Sequence, residues 1–167
     1  VERAGGLTAL GVRGLEFARL SGDTLQVGVD RKRPARSLES CESLASEIAR
    51  ERNADNASTS HRWRLRNPES WLESTVRRQL SALDPLLDPD VIYGQVCAVS
   101  GRDRGLIDLL ARDITGRLAV IEIKATEDPC LPVQALDYWI RVRSHVLSGE
   151  FESCGYFPGK PLSETAP

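Results

Sequence analysis

Residues 105–125 read GLIDLLARDITGRLAVIEIKA, from Gly105 to Ala125. Two apolar runs flank a turn, and each run carries charge where a core strand should carry none. Asp108 interrupts Leu106, Ile107, Leu109 and Leu110, and Glu122 and Lys124 interrupt Val120, Ile121 and Ile123. A three-residue hairpin loop uses a type I turn followed by a left-handed residue, usually glycine, and in Asp113-Ile114-Thr115-Gly116-Arg117 that residue is Gly116. If Asp113 pairs with Arg117, Asp108 lies across from Glu122. Both carboxylates then share one face with Lys124, two residues further on. A loop one residue shorter or longer would send the side chains to the other face.

Like charges opposed across strands are destabilising. At about 4 Å and an effective dielectric near 20, the repulsion is roughly 4 kcal/mol. A bound divalent cation would offset it, because two carboxylates on a rigid hairpin suit a hard, oxygen-seeking ion. A shared proton, raising one pKa, would offset it too. The chain has 19 Arg and only 3 Lys (Lys32, Lys124, Lys160), so a lysine inside a strand calls for its own reason. An ammonium is a compact donor able to hold a water or a phosphate oxygen. The plainer reading is a buried salt-bridge cluster of Asp108, Glu122 and Lys124, although buried ion pairs rarely add net stability.

Three short patterns occur in order: Gly105-Leu106-Ile107-Asp108, then Glu122-Ile123-Lys124, then Gln134-Ala135-Leu136-Asp137-Tyr138. Together they resemble the GxxD, ExK and QxxxY motifs of RecB-like nucleases, within the PD-(D/E)XK (restriction-endonuclease-like) superfamily. The resemblance covers roughly residues 67–147. It implies an α/β fold whose core is a helix, a three-stranded meander, a helix and a final strand, with a mixed central sheet flanked by helices. It also implies metal-dependent hydrolysis of nucleic-acid phosphodiesters with Mg²⁺ or Mn²⁺. In that scheme Asp108, Glu122 and the Ile123 carbonyl hold the metal, and Lys124 orients the nucleophile. Gln134 and Tyr138 face the carboxylates. Glu73, on the first helix, joins the metal site or instead pairs with Arg77 at i, i+4. DNA is the polymer most such relatives cut, and nothing in the residues excludes RNA. A catalytically inactive nucleic-acid-binding or scaffolding domain of the same fold is the alternative, since fold alone does not establish activity. A partner-binding module built on the N-terminal segment is another.

Composition sets the outer bounds. A chain of 167 residues with 41% hydrophobic content suffices for one domain or a domain with a small appendage. A net charge of −2 gives no global pull on nucleic acid, so any such contact has to come from local patches. No apolar run approaches a membrane span or a signal peptide, which points to a cytoplasmic protein. The chain opens on Val1 and holds no Met, suggesting that its natural start, with any targeting information, lies elsewhere. Four scattered cysteines and two histidines make neither a CxxC pair nor a zinc pattern, and free thiols are expected.

Along the chain, residues 1–30 suggest a hairpin of Leu15–Arg19 and Leu25–Val29 about Ser21-Gly22-Asp23. Arg31, Lys32, Arg33 and Arg36 form a basic run that contacts phosphate or is simply a solvated loop. Residues 37–52 read as a helix capped by Ser37, and Asn53 to Ser60 reads as a linker. Residues 1–66 hold 12 basic and 9 acidic side chains, and the remainder 10 and 15. We therefore place a mildly basic N-terminal module at 1–60 and an acidic nuclease-like domain at 61–167. A second helix begins with Asn67 and Pro68 and buries Leu72, Val76, Leu80 and Leu83. Val91 to Val99 reads as the strand before the hairpin. Arg102 and Arg104, in the link between them, either hold a nucleic-acid backbone or keep the turn soluble.

Pro132 opens a long helix to about Leu147. Its polar stripe, Gln134, Tyr138, Arg141 and His145, belongs where an otherwise buried helix meets water or a polar site. Arg141 reaches nucleic acid or pairs with Asp137, and His145 reads as surface. Beyond this helix only Cys154 to Phe157 offers a short strand, stopped by Pro158. The final strand of the resembled core is therefore missing from the chain or supplied by a partner, for which a homodimer stays open.

Overall fold

A computed structural model describes residues 2–4, 7–53, 55, 62–63, 65–100 and 103–164. It is mixed α/β, with two antiparallel sheets and five helices among these residues. The chain divides into two compact units, Val1–Thr75 and Val76–Pro167. Among the described residues no helix is long and apolar enough to cross a membrane.

In the first unit the expected hairpin is part of a larger sheet. Strands β1 (Glu2–Ala4), β2 (Leu7–Val12), β3 (Leu15–Ser21), β4 (Thr24–Val27) and β5 (Arg33–Pro34) pair in sequential order. Arg13 and Gly14 both have positive φ, the type I′ geometry that matches the twist of two-residue hairpins. Helix α1 (Leu38–Glu51) starts where Ser37 Oγ accepts the Ser40 N–H at 3.2 Å. It buries Cys41 and Ile48 with Leu15, Phe17, Ala18 and Trp63. Arg52, fully buried, follows it and donates to the carbonyls of Arg13, Trp63, Arg66 and Asn67. Burial pushes its pKa down to about 10, still far above neutrality, so a whole positive charge is held by backbone dipoles.

That arginine and Trp63 explain why the units divide later than the sequence suggested. The polar run after Asn53 looked like a linker, and it lies largely outside the described residues. Yet Trp63 packs in the core of the first unit and, with Arg66 and Asn67, offers its carbonyl to the buried Arg52, and the two units divide inside α2 (Pro68–Arg78). Asn67 precedes α2 with φ 46, and its carbonyl accepts the Trp71 N–H. The single helix expected through Leu83 is interrupted at Gln79, after which α3 (Leu80–Leu83) begins.

The second unit is a meander of β6 (Leu87–Ser100), β7 (Asp103–Asp113) and β8 (Leu118–Ile121) between helices. Helix α4 (Leu131–Leu147) covers one face, where Tyr138 and Val142 join Val96, Ala98, Ile107, Leu110 and Leu118. Against the other face Leu80 packs with Leu87, Ala111 and, half-buried, Ala119 and Ile121. Each fully buried aliphatic side chain contributes about 1.5–3 kcal/mol. All strand pairs are antiparallel, and no fourth strand of this sheet lies among the described residues.

The segment where a short last strand was expected turns instead. After α5 (Glu150–Ser153), Tyr156 and Phe157 stack edge-on against Tyr93. The tail then runs to the hairpin tip, where Lys160 and Arg112 both reach the Asp88 carboxylate and the Ser163 N–H meets the Gly116 carbonyl at 2.8 Å. These side-chain ion pairs and that backbone bond hold the tail without a strand ladder among the described residues.

Candidate functional site

The hairpin has the register read from its turn. Leu109 pairs with Ile121, Leu110 with Val120, Ala111 with Ala119 and Arg112 with Leu118. Gly116 has φ 95, and a Cβ there would lie 2.9 Å from the Pro161 carbonyl oxygen. Asp113 fixes the turn. Its Oδ1 accepts from the Thr115 N–H, the Thr115 hydroxyl and the Arg117 N–H, and its Oδ2 from Arg117 Nε. Burial alone would push its pKa up, but these donors outweigh it and hold the carboxyl at about 2.

The ladder stops at Leu109 and Ile121, one step before Asp108 and Glu122 would pair. There the Asp108 carboxylate replaces the strand: Oδ2 accepts the Ile123 N–H at 2.9 Å, and Oδ1 lies 3.5 Å from Gln95 Nε2. The Ile123 N–H is thus committed to Asp108. The other acid, Glu122, points into a polar knot. Its Oε1 accepts from Lys124 Nζ at 2.9 Å and from Gln134 Nε2 at 2.7 Å, and the Gln134 amide is also 3.2 Å from the Tyr138 hydroxyl.

Glu122 shows what this knot lacks. Its side chain is only 3% exposed, and Oε2 is buried with no hydrogen-bond partner among the described residues. A buried carboxylate oxygen without a donor is costly, by about 1–3 kcal/mol and more when charged, so such an atom calls for an explanation, of which an ordered water or a bound ion is one. Among the described residues no group of three or more His, Cys, Asp or Glu side chains comes together as a metal cage. Mg²⁺, however, usually takes one or two carboxylates and keeps several waters. The donors present, Asp108 and the orphaned Glu122 oxygen, suit that mode of binding.

Gly105 is what lets Tyr138 reach this place. A Cβ on Gly105 would stand 2.3 Å from the Tyr138 ring, so the helix side chain lies flat on the strand only because that position is bare. The polar stripe of α4 meets the sheet along its length. Arg141 donates to the Ala98 carbonyl at 3.4 Å and pairs with Asp137 at 2.8 Å. His145 bonds Glu150 and, at 3.0 Å, the Val99 carbonyl. His145 is thus half-buried and engaged rather than plain surface, and Arg141 takes the Asp137 pairing that was its alternative. Arg104 is exposed on β7, and Arg102 lies outside the described residues. Glu73 is half-buried on α2, in the first unit.

Sequence reading passed over Gln95. It sits in the interior of β6 with φ 54, the left-handed region, which costs a residue with a side chain about 1–3 kcal/mol. The β6–β7 ladder omits the pair Gln95–Asp108 while keeping Gly94–Leu109 and Val96–Ile107. Both strands shift their alternation at that level. Tyr93 and Val96, three residues apart, meet the same core, as do Ile107 and Leu110, whereas a flat strand would send each pair to opposite faces. A lone polar residue in VIYGQVCAV was the available signal.

No protein-family model matches the chain, and neither a curated protein nor a solved structure does.

Proposed function

We propose that the second unit is a metal-dependent nuclease of the restriction-endonuclease-like type, hydrolysing nucleic-acid phosphodiesters, with DNA the favoured polymer. The observation that carries this reading is the buried, unpartnered Oε2 of Glu122 on the strand beside Asp108. Asp108 and Glu122, with the Ile123 carbonyl, would hold Mg²⁺ or Mn²⁺. When bound, such an ion supplies an activated water and neutralises charge on the scissile phosphate. Lys124, already drawn to Glu122, orients the attacking oxygen and offsets charge that develops on phosphate. Gln134 and Tyr138 keep the Glu122 carboxylate in one rotamer, as partners behind metal ligands do. Of the basic residues, Arg104 is exposed and available to the sugar-phosphate backbone. Arg141 would have to leave Asp137 to contribute.

Cleavage of single- and double-stranded DNA and RNA with Mg²⁺ or Mn²⁺ tests this directly. Asp108→Ala and Lys124→Ala should each lower metal-dependent cleavage by about 100-fold or more. Cleavage that persists in both variants would point to a contaminant and sink the reading. A second reading is a non-catalytic nucleic-acid-binding or scaffolding domain of the same fold. It is favoured by the ion pair that Lys124 already makes with Glu122, which partly neutralises the knot without a metal. Metal-independent binding with no cleavage would select it.

A further inference from the structure

The shift of alternation in β6 and β7 places one residue of each strand outside the ladder at the same level, Gln95 on one and Asp108 on the other. Were β6 regular through Gln95, the side chains beyond it would exchange faces. Val96 and Ala98, 5% and 2% exposed, would leave the core they share with Tyr138. The left-handed backbone of Gln95 and the release of Asp108 from the core are therefore one feature. Strain of this kind persists only where the surroundings enforce it, and it gathers at functional sites. Glycine would relieve it, yet the position carries a long amide whose Nε2 lies 3.5 Å from Asp108 Oδ1.

We propose that Gln95 is a positioning residue for Asp108: its side-chain amide and the Ile123 N–H hold the two carboxylate oxygens from opposite ends, presenting their remaining lone pairs to a divalent cation shared with Glu122. This rests on the metal-site reading given above and adds to it a residue outside the three motifs. Each carboxylate oxygen has two lone-pair sites, so one donor on each leaves one for a cation. Without Gln95, Oδ1 loses its tether and Asp108 swings about Oδ2. The chemistry is neutral by design, because an amide directs the carboxylate without adding a charge that would compete with the cation.

Two variants separate positioning from folding. Gln95→Gly keeps the left-handed backbone and removes the amide. Gln95→Asn keeps an amide on a residue type that tolerates positive φ. Mn²⁺ is titrated calorimetrically into each variant and the wild type, and each is melted in the absence of metal. We expect Gln95→Gly to bind Mn²⁺ about 10-fold more weakly, within what a lost outer partner costs, with a metal-free melting temperature at or above that of wild type. Gln95→Asn should recover part of the affinity. Unchanged Mn²⁺ affinity in Gln95→Gly, or affinity and melting temperature falling together in both variants, would overturn the proposal. Wild type giving no Mn²⁺ heat would overturn it as well, and would show that the metal reading, rather than the clamp, had failed.

Discussion

Glu122 and Asp113 are carboxylates of one hairpin held in opposite ways. Asp113 has every oxygen engaged by donors of its own turn, and its pKa falls to about 2 from 3.8. Because the folded value lies below the unfolded one, stability from Asp113 is complete above about pH 4 and is lost as pH falls toward 2. The difference amounts to about 2 kcal/mol. Denaturant unfolding from pH 6 down to pH 2 should show this loss in the wild type and a flatter profile in Asp113→Asn, whose stability is already lower at pH 6. Glu122 has one oxygen doubly used and the other without a hydrogen-bond partner among the described residues, the feature on which the proposed cation site rests. At Gly105 the steric claim is equally testable. Gly105→Ala would press a methyl on the Tyr138 ring and should cost about 1–3 kcal/mol, measured by chemical denaturation, while loosening Tyr138 from Gln134. Equal stability of that variant would mean that the ring can move aside.

At the scale of elements, the hairpin was the most legible part of the chain. Turn chemistry fixes register, and Gly116 followed by Arg117 left little freedom, so the pairing of β7 with β8 came from residues alone. Helices α1 and α4 were readable for the same reason, with Ser37 capping one and Pro132 in the first turn of the other. The matched shift in β6 and β7 was not readable. It appears only when two strands are laid side by side, because neither alternation alone says which residue stands outside. Strands β1 and β2 were missed because VERAGGLTALGV alternates weakly and is rich in glycine. Arg52 was taken as the end of a helix, since sequence carries no sign that four carbonyls would converge on it. Arg52→Met removes the guanidinium donors that those four carbonyls share while keeping much of the side chain's length. It should destabilise the first unit by about 3–5 kcal/mol, the range for breaking a buried charged network, read as faster amide exchange in β2, β3 and α1.

For the whole molecule, the two units carry distinct cores. Charge counting placed a boundary near residue 60, whereas packing divides the units within α2, since Trp63 and Arg66 sit beyond the polar run yet are tied into the first unit through Arg52. The three motifs that suggested nucleic-acid chemistry lie entirely in the second unit. There the chain brings Glu122, Lys124, Gln134 and Tyr138 into one hydrogen-bonded group and seats Asp108 on the backbone of the residue next to Glu122. How those side chains would interlock was beyond a reading of spacing, because spacing gives faces and not rotamers. The most direct measurement is a calorimetric titration of Mn²⁺ into wild type, Asp108→Asn and Glu122→Gln at neutral pH. The expected result is saturable heat in wild type that both substitutions abolish or weaken by at least about 10-fold. Heat that is the same in all three proteins, or absent from wild type, would contradict a cation site on this hairpin.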